Sequence, residues 1–271
     1  MGAPPLAGVP KVNVRTFVLR PPQSCVRETR PVTDDVRAAD GGVDWKKFSP
    51  TPPQFSPTAP AAPDFSQRWL PTVKELFYFN MIGHSVRMLQ KRTRVELKGP
   101  FFKEWFRSAK PIFADPHWDD EGSFSINYIG HSMSGASYGM IQRQNHGRAW
   151  NAAFGSSEYW SNIPLSMFVS AIASLQFEIG PISEASLGNV GIEPEKQGYV
   201  DLIVTPVLGM AWMIGQDAID QYVMKKIESK ITNKGLRATI RIVADLPRTM
   251  ANLMAGKAPW YRQDRPLGGR R

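Results

Sequence analysis

Three apolar stretches of this chain repeat one pattern. In "SFSINYIGHSMSGASYGMIQR", Asn127, His131 and Gly135 stand four apart, with Ser134 and Tyr138 beside them. In "PLSMFVSAIASLQFE", Ser170, Ser174 and Glu178 keep the same interval. In "DLIVTPVLGMAW", Asp201, Thr205 and Gly209 repeat it, and Trp212 follows on the next turn. Positions four apart share one face of an α-helix. Each stretch therefore predicts a helix with one polar-and-small stripe on an apolar surface. A buried carboxylate without a partner costs several kcal/mol, so these stripes are best satisfied facing one another. Small residues let a second helix backbone approach closely, which makes Gly130, Gly135, Gly139 and Gly209 the candidates for close helix packing.

Close packing leaves His131 in need of protein partners. The simplest arrangement is one shared network that puts His131 within hydrogen-bonding reach of Glu178 or Asp201. Asn127, Tyr138 and Thr205 then fill the remaining hydrogen bonds. Two uses of such a network stay open. It can be a structural polar core that sets helix register. It can also be an acid–base site, with His131, Glu178 and Asp201 as the catalytic candidates, His131 as base and a carboxylate as its orienter. No nucleophile motif stands beside the histidine, and no metal or other cofactor is expected.

The rest of the chain supports an all-α, compact bundle of five to six helices. "LPTVKELFYFNMIGHSVRMLQ" reads as a largely buried helix of about twenty residues, with His84 and Arg87 three apart and Arg87 placed to neutralise a carboxylate. "GPFFKEWFRSAK" predicts a shorter amphipathic helix. "HWDDEG" offers His117, Asp119, Asp120 and Glu121, but their order matches no calcium loop or zinc signature. The connection "GPISEASLGN" adds Ser183 and Glu184, in a context that suits turn and capping chemistry and lacks a nucleophile elbow. The long last apolar stretch is expected to kink at Pro206 and to end at "TNKG", with Gly235 as a left-handed cap. A final helix runs from about Asp245 to Gly256. The helical domain thus covers 64–256. Residues 1–63, Pro-rich, are expected to be extended or disordered, and 257–271 form a basic tail. Each of the three striped helices falls short of the about twenty uninterrupted apolar residues that span a bilayer, so they are expected to be buried bundle helices or to dip into one leaflet.

Charge narrows the partners. From Gln221 onward there are 12 Lys and Arg against 3 Asp and Glu, and the preceding residues carry 21 of each sign. A basic end of this kind attracts an anionic membrane surface or nucleic-acid phosphate. Groove-reading motifs and interleaved aromatics are missing from it, so an anionic membrane or an envelope protein is the expected partner and nucleic acid is not. Oligomeric state is not legible. The lone Cys25 excludes an intrachain disulfide. No secretory leader is visible in the first thirty residues.

The joint pattern of "GPFFKEWF", "NYIGH", "QFEIGPISEASLGN" and "DLIVTPVLGMAW" resembles an uncharacterised bacterial domain family typical of envelope-associated proteins. The likeness runs from about Leu76 to Trp260. This chain has Ser132 where proline commonly follows the histidine. The resemblance implies a compact helical domain of the bacterial cell envelope, periplasmic or membrane-associated. Its signature positions would be Asn127, His131, Glu178, Ser183, Glu184, Asp201, Thr205 and Gly209. It implies no activity. Two functions follow as expectations: an envelope- or membrane-associated bundle with a buried His/Glu/Asp core, or a hydrolase or transferase acting on an envelope lipid or glycan through His131.

Overall fold

A computed structural model describes residues 66–89, 105, 118, 122–186 and 198–267. Cys25, the Pro-rich segment and the candidates His117, Asp119, Asp120 and Glu121 lie outside the described residues, as does all but Trp105 of the expected amphipathic helix. Among the described residues there are seven helices and no β-strand. Helix α1 is Trp69–Met88. Helix α2 opens as a π-helical turn, Ser125–Gly130, and continues as His131–Gln144. Helix α3 is the single turn Gly147–Trp150. Helix α4 is Ser157–Ile179, and α5 is the continuous rod Val200–Ser229. Two short helices, α6 (Lys234–Ala244) and α7 (Leu246–Met254), close the domain.

Local chemistry sets the boundaries. The Ser156 hydroxyl accepts from Tyr159 N and starts α4 seven residues before Pro164, which the helix absorbs near its N-terminus. Asn233 and Asp245 cap α6 and α7 in the same way. Gly256 stops α7 with φ of +67°, a conformation glycine adopts without steric cost. Gly235 does not act as expected. The long helix ends at Ser229, and Gly235 lies in the first turn of α6, a helix the apolar pattern did not reveal. Pro206 is accommodated inside α5.

Helix α2 is the centre of the bundle, packed on α4, α5, α7 and α1. The closest approach is glycine on glycine. A Cβ added to Gly135 would lie 1.8 Å from Thr205 O, and one added to Gly209 would lie 2.7 Å from Gly135 Cα. Gly139 faces the flexible ends of Met210 and Met213. Gly130 takes no part in this packing, because a Cβ there would meet only Ser125 O, at 3.7 Å.

The distribution of polarity reverses the expectation for α1. Its buried residues are Thr72, Glu75, Asn80 and His84, whereas Trp69, Leu70, Val73, Phe77, Ile82 and Val86 are exposed. Among the described residues the same holds: 30 polar or charged residues and 15 hydrophobic ones are buried, the opposite balance from a core built in water. Helices α4 and α5 are both long and apolar enough to cross a membrane. Pro164 and Pro206 lie inside these rods and do not divide them.

Candidate functional site

His131 opens the α-helical part of α2 directly after the π-helical turn. Such turns shift the side-chain register by one residue and often mark functional positions. His131 is buried, at 8% exposure, and its imidazole lies between two carboxylates from two other helices. Its Nε2 lies 3.3 Å from Asp201 Oδ2 on α5, and its Nδ1 lies 3.9 Å from Glu178 Oε1 on α4. The Thr205 hydroxyl, one turn beyond Asp201, sits 3.2 Å from Nδ1. The expected convergence of His131, Glu178, Asp201 and Thr205 is therefore present.

The neighbouring candidates divide. Asn127 is buried one turn before His131. Tyr138 is buried too, but its hydroxyl donates to Asn80 Oδ1 at 2.7 Å, a partner on α1 that the stripe pattern did not indicate. Ser170 and Ser174 donate to the α5 carbonyls of Thr205 and Asp201, at 3.5 and 3.3 Å, and so clamp α4 to α5. Arg87 pairs with a carboxylate as expected: its Nε is 2.8 Å from Glu184 Oε1. His84 stacks on Phe177 with ring centroids 4.4 Å apart. Ser183 and Ser186 hydrogen-bond reciprocally, each hydroxyl accepting the other's backbone N–H. The backbone of Glu184 and Ala185 then donates to the Phe177 and Glu178 carbonyls at the end of α4. The connection therefore folds back as a lid on the helix end that carries Glu178, which is capping chemistry and not a serine nucleophile.

A cavity of about 140 Å³ adjoins the histidine. Ser134, Tyr138, Glu178 and Thr205 line its polar side, and Phe79, Ile82 and Phe177 its apolar side. Ile82 is exposed on the outer face of α1, so one wall of the cavity belongs to the apolar exterior. The space is large enough for several waters or a small polar group.

The opposite end of the bundle holds a charge network that the sequence did not reveal. Asp217 accepts from Arg143 Nη1 and Nη2 at 2.5 and 2.9 Å, from Tyr159 OH at 2.8 Å, and from Arg248. Glu228 accepts from Arg241 Nε at 2.9 Å and from Arg265 Nε at 3.0 Å. Asp245 and Asp220 are shared by Arg248, Arg262 and Arg265. Burial and the neighbouring Arg248 pull the Arg262 guanidinium down to about 10, against the opposing pull of Asp245 and Asp220. Apart from Arg248 and Asp245, three positions apart, these partners lie 13 to 74 residues from one another, and helical spacing carries no sign of that. Residues 257–267, assigned to a basic tail from their charge, fold back here: Asn252 Nδ2 donates to Pro259 O and Tyr261 O, and Arg262 is 2% exposed.

Comparisons with protein families, curated proteins and solved structures find no match to this chain. Its functional reading rests on the geometry above: a helical protein with a buried His/Glu/Asp cluster and two helices able to cross a membrane.

Proposed function

We propose that the protein is a membrane-embedded helical bundle of the cell envelope, and that its His131–Glu178–Asp201 centre acts on a lipid or lipid-linked glycan by hydrolysis or group transfer. The observation that carries this reading is α1, which hides Thr72, Glu75, Asn80 and His84 and presents Trp69, Leu70, Val73, Phe77, Ile82 and Val86 outward. Water drives the reverse arrangement at about 25 cal/mol per Å² of apolar surface. Hydrocarbon removes that penalty and makes the inward polar side chains bond to one another.

Aromatic placement supports the same reading. Trp118 and Tyr199 pack edge to face at the start of α5, and Phe124 stacks on Tyr128 nearby in sequence. Phe154 contacts Tyr159, Trp160 and Tyr222 at the other end. Tyr222 lies 23 positions after Tyr199, the residue that immediately precedes the rod, or about 34 Å at the helical rise. That matches the separation of interfacial aromatic belts across a hydrocarbon core. The basic end of the chain, with Lys226, Lys230 and Lys234 exposed, suits an anionic headgroup layer. A substrate already in the bilayer would reach the centre past Ile82, and a water or hydroxyl group in the cavity would be the species activated there.

Membrane fractionation tests the location. The protein should stay with membranes through high salt and alkaline carbonate, and leave only with detergent. Recovery as a monodisperse soluble protein after carbonate would sink the embedding. Turnover tests the centre. On a panel of lipid esters, phosphoesters and lipid-linked glycans, His131→Gln and Glu178→Gln should abolish turnover while Tm stays within a few degrees of wild type. Equal losses of turnover and Tm would favour a purely structural polar core.

A further inference from the structure

We propose that His131, Glu178 and Asp201 form a binding site for a divalent transition-metal ion of the zinc or manganese class. This rests on the reading above that the same centre is the working site of the protein. The order of residues in the sequence carries no metal signature, because the three ligands come from three helices. Only the fold brings them together.

Geometry is the first argument. One ligand atom from each residue lies within 4.8 Å of the other two, and all three residues are buried. The His131 Nε2–Asp201 Oδ2 separation of 3.3 Å equals the edge of a tetrahedron whose ligands sit about 2.0 Å from a zinc ion. The longer edges contract on metal binding through the side-chain freedom of Glu178. Among the described residues this is the one such convergence of histidine, cysteine and acidic ligands.

Chemistry is the second. One imidazole with two carboxylates is a borderline-to-hard donor set suited to zinc or manganese.

The surroundings are the third. A ligand histidine ordinarily keeps its second nitrogen on a hydrogen-bonding partner that fixes ring orientation. Thr205 Oγ1 occupies that place, 3.2 Å from Nδ1. The adjoining cavity of about 140 Å³ provides space for a water beside the three ligands, as a catalytic metal site requires. All three ligands stand on helices, which hold such a constellation more firmly than loops.

The test uses the full-length protein in mild detergent. Metal content is measured on the protein as isolated. Chelator-stripped protein is then titrated with Zn²⁺ and with Mn²⁺, and followed by calorimetry and thermal unfolding. Expected are about one equivalent of bound ion per chain and a rise in Tm on addition. His131→Gln and Asp201→Asn should weaken binding by more than about 100-fold, and Thr205→Val by about 10- to 100-fold. Asp264→Asn, at an exposed carboxylate of the charged end, should leave affinity unchanged. The site is overturned if stripped wild type shows neither heat nor a Tm rise with either ion, or if His131→Gln binds with wild-type affinity. The two proposals separate cleanly: carbonate-resistant membrane association without metal binding removes only the metal site. Metal binding by a protein soluble without detergent removes only the embedding.

Discussion

Gly135→Ala is expected to lose about 3 kcal/mol or more of stability, the upper end of overpacking costs. The new methyl carbon would stand 1.8 Å from Thr205 O and 3.1 Å from Gly209 Cα. Both are backbone atoms, so no side-chain rotation relieves the clash and α2 must move away from α5. That movement would pull His131 away from Asp201 and Thr205, which lie on the far side of the same contact. Gly130→Ala is the matched control. Its methyl group meets only Ser125 O at an ordinary 3.7 Å, and replacing a helical glycine gains about 0.5–1 kcal/mol. Thermal unfolding of the two variants in the same detergent checks the pair. Equal melting temperatures would mean that the two backbones do not touch.

Asp217→Ala should be comparably severe, about 3–5 kcal/mol, the range for removing one partner of a buried ion pair. The substitution strands the buried Arg143 guanidinium, takes one acceptor from Arg248, and leaves the Tyr159 hydroxyl without its acceptor. Arg248 keeps Asp245, 2.8 Å from its Nε, so Arg143 is the group left in difficulty. Removing that charge as well should restore much of the loss. The double variant Arg143→Met/Asp217→Leu is expected to melt well above Asp217→Ala, because apolar groups of similar size often replace a buried pair at little cost. A double-mutant cycle measures the coupling. A loss under about 1 kcal/mol for Asp217→Ala would place the pair in the range of solvent-screened surface bridges.

Much of the candidate centre was legible in the chain. Four-residue spacing placed Asn127, His131 and Gly135 on one face, Ser170, Ser174 and Glu178 on a second, and Asp201, Thr205 and Gly209 on a third. The need to bury those faces together brought His131 to Glu178 and Asp201. Arg87 was legible as a neutralising cation, although its partner, Glu184, was not. Asn80 was missed because its apolar neighbours Phe77, Phe79 and Met81 suggested that the apolar side of α1 faces inward. The arginine network at the other end was missed for a different reason. Arg143 and Asp217 are 74 positions apart, and neither position looks unusual on its own helix.

By itself, then, the sequence determined where helices form, which residues share a face, and where glycine permits two backbones to touch. All of these follow from the helical period and from side-chain size. Only the tertiary structure decided which face of α1 turns inward, which carboxylate meets which cation, and that the last described residues return to the bundle. Period two or period three-point-six says which residues lie together along one element. It does not say what solvent surrounds that element, nor which distant element supplies the opposite charge, and those two quantities set the energy of burying Glu178, Asp201 and Asp217.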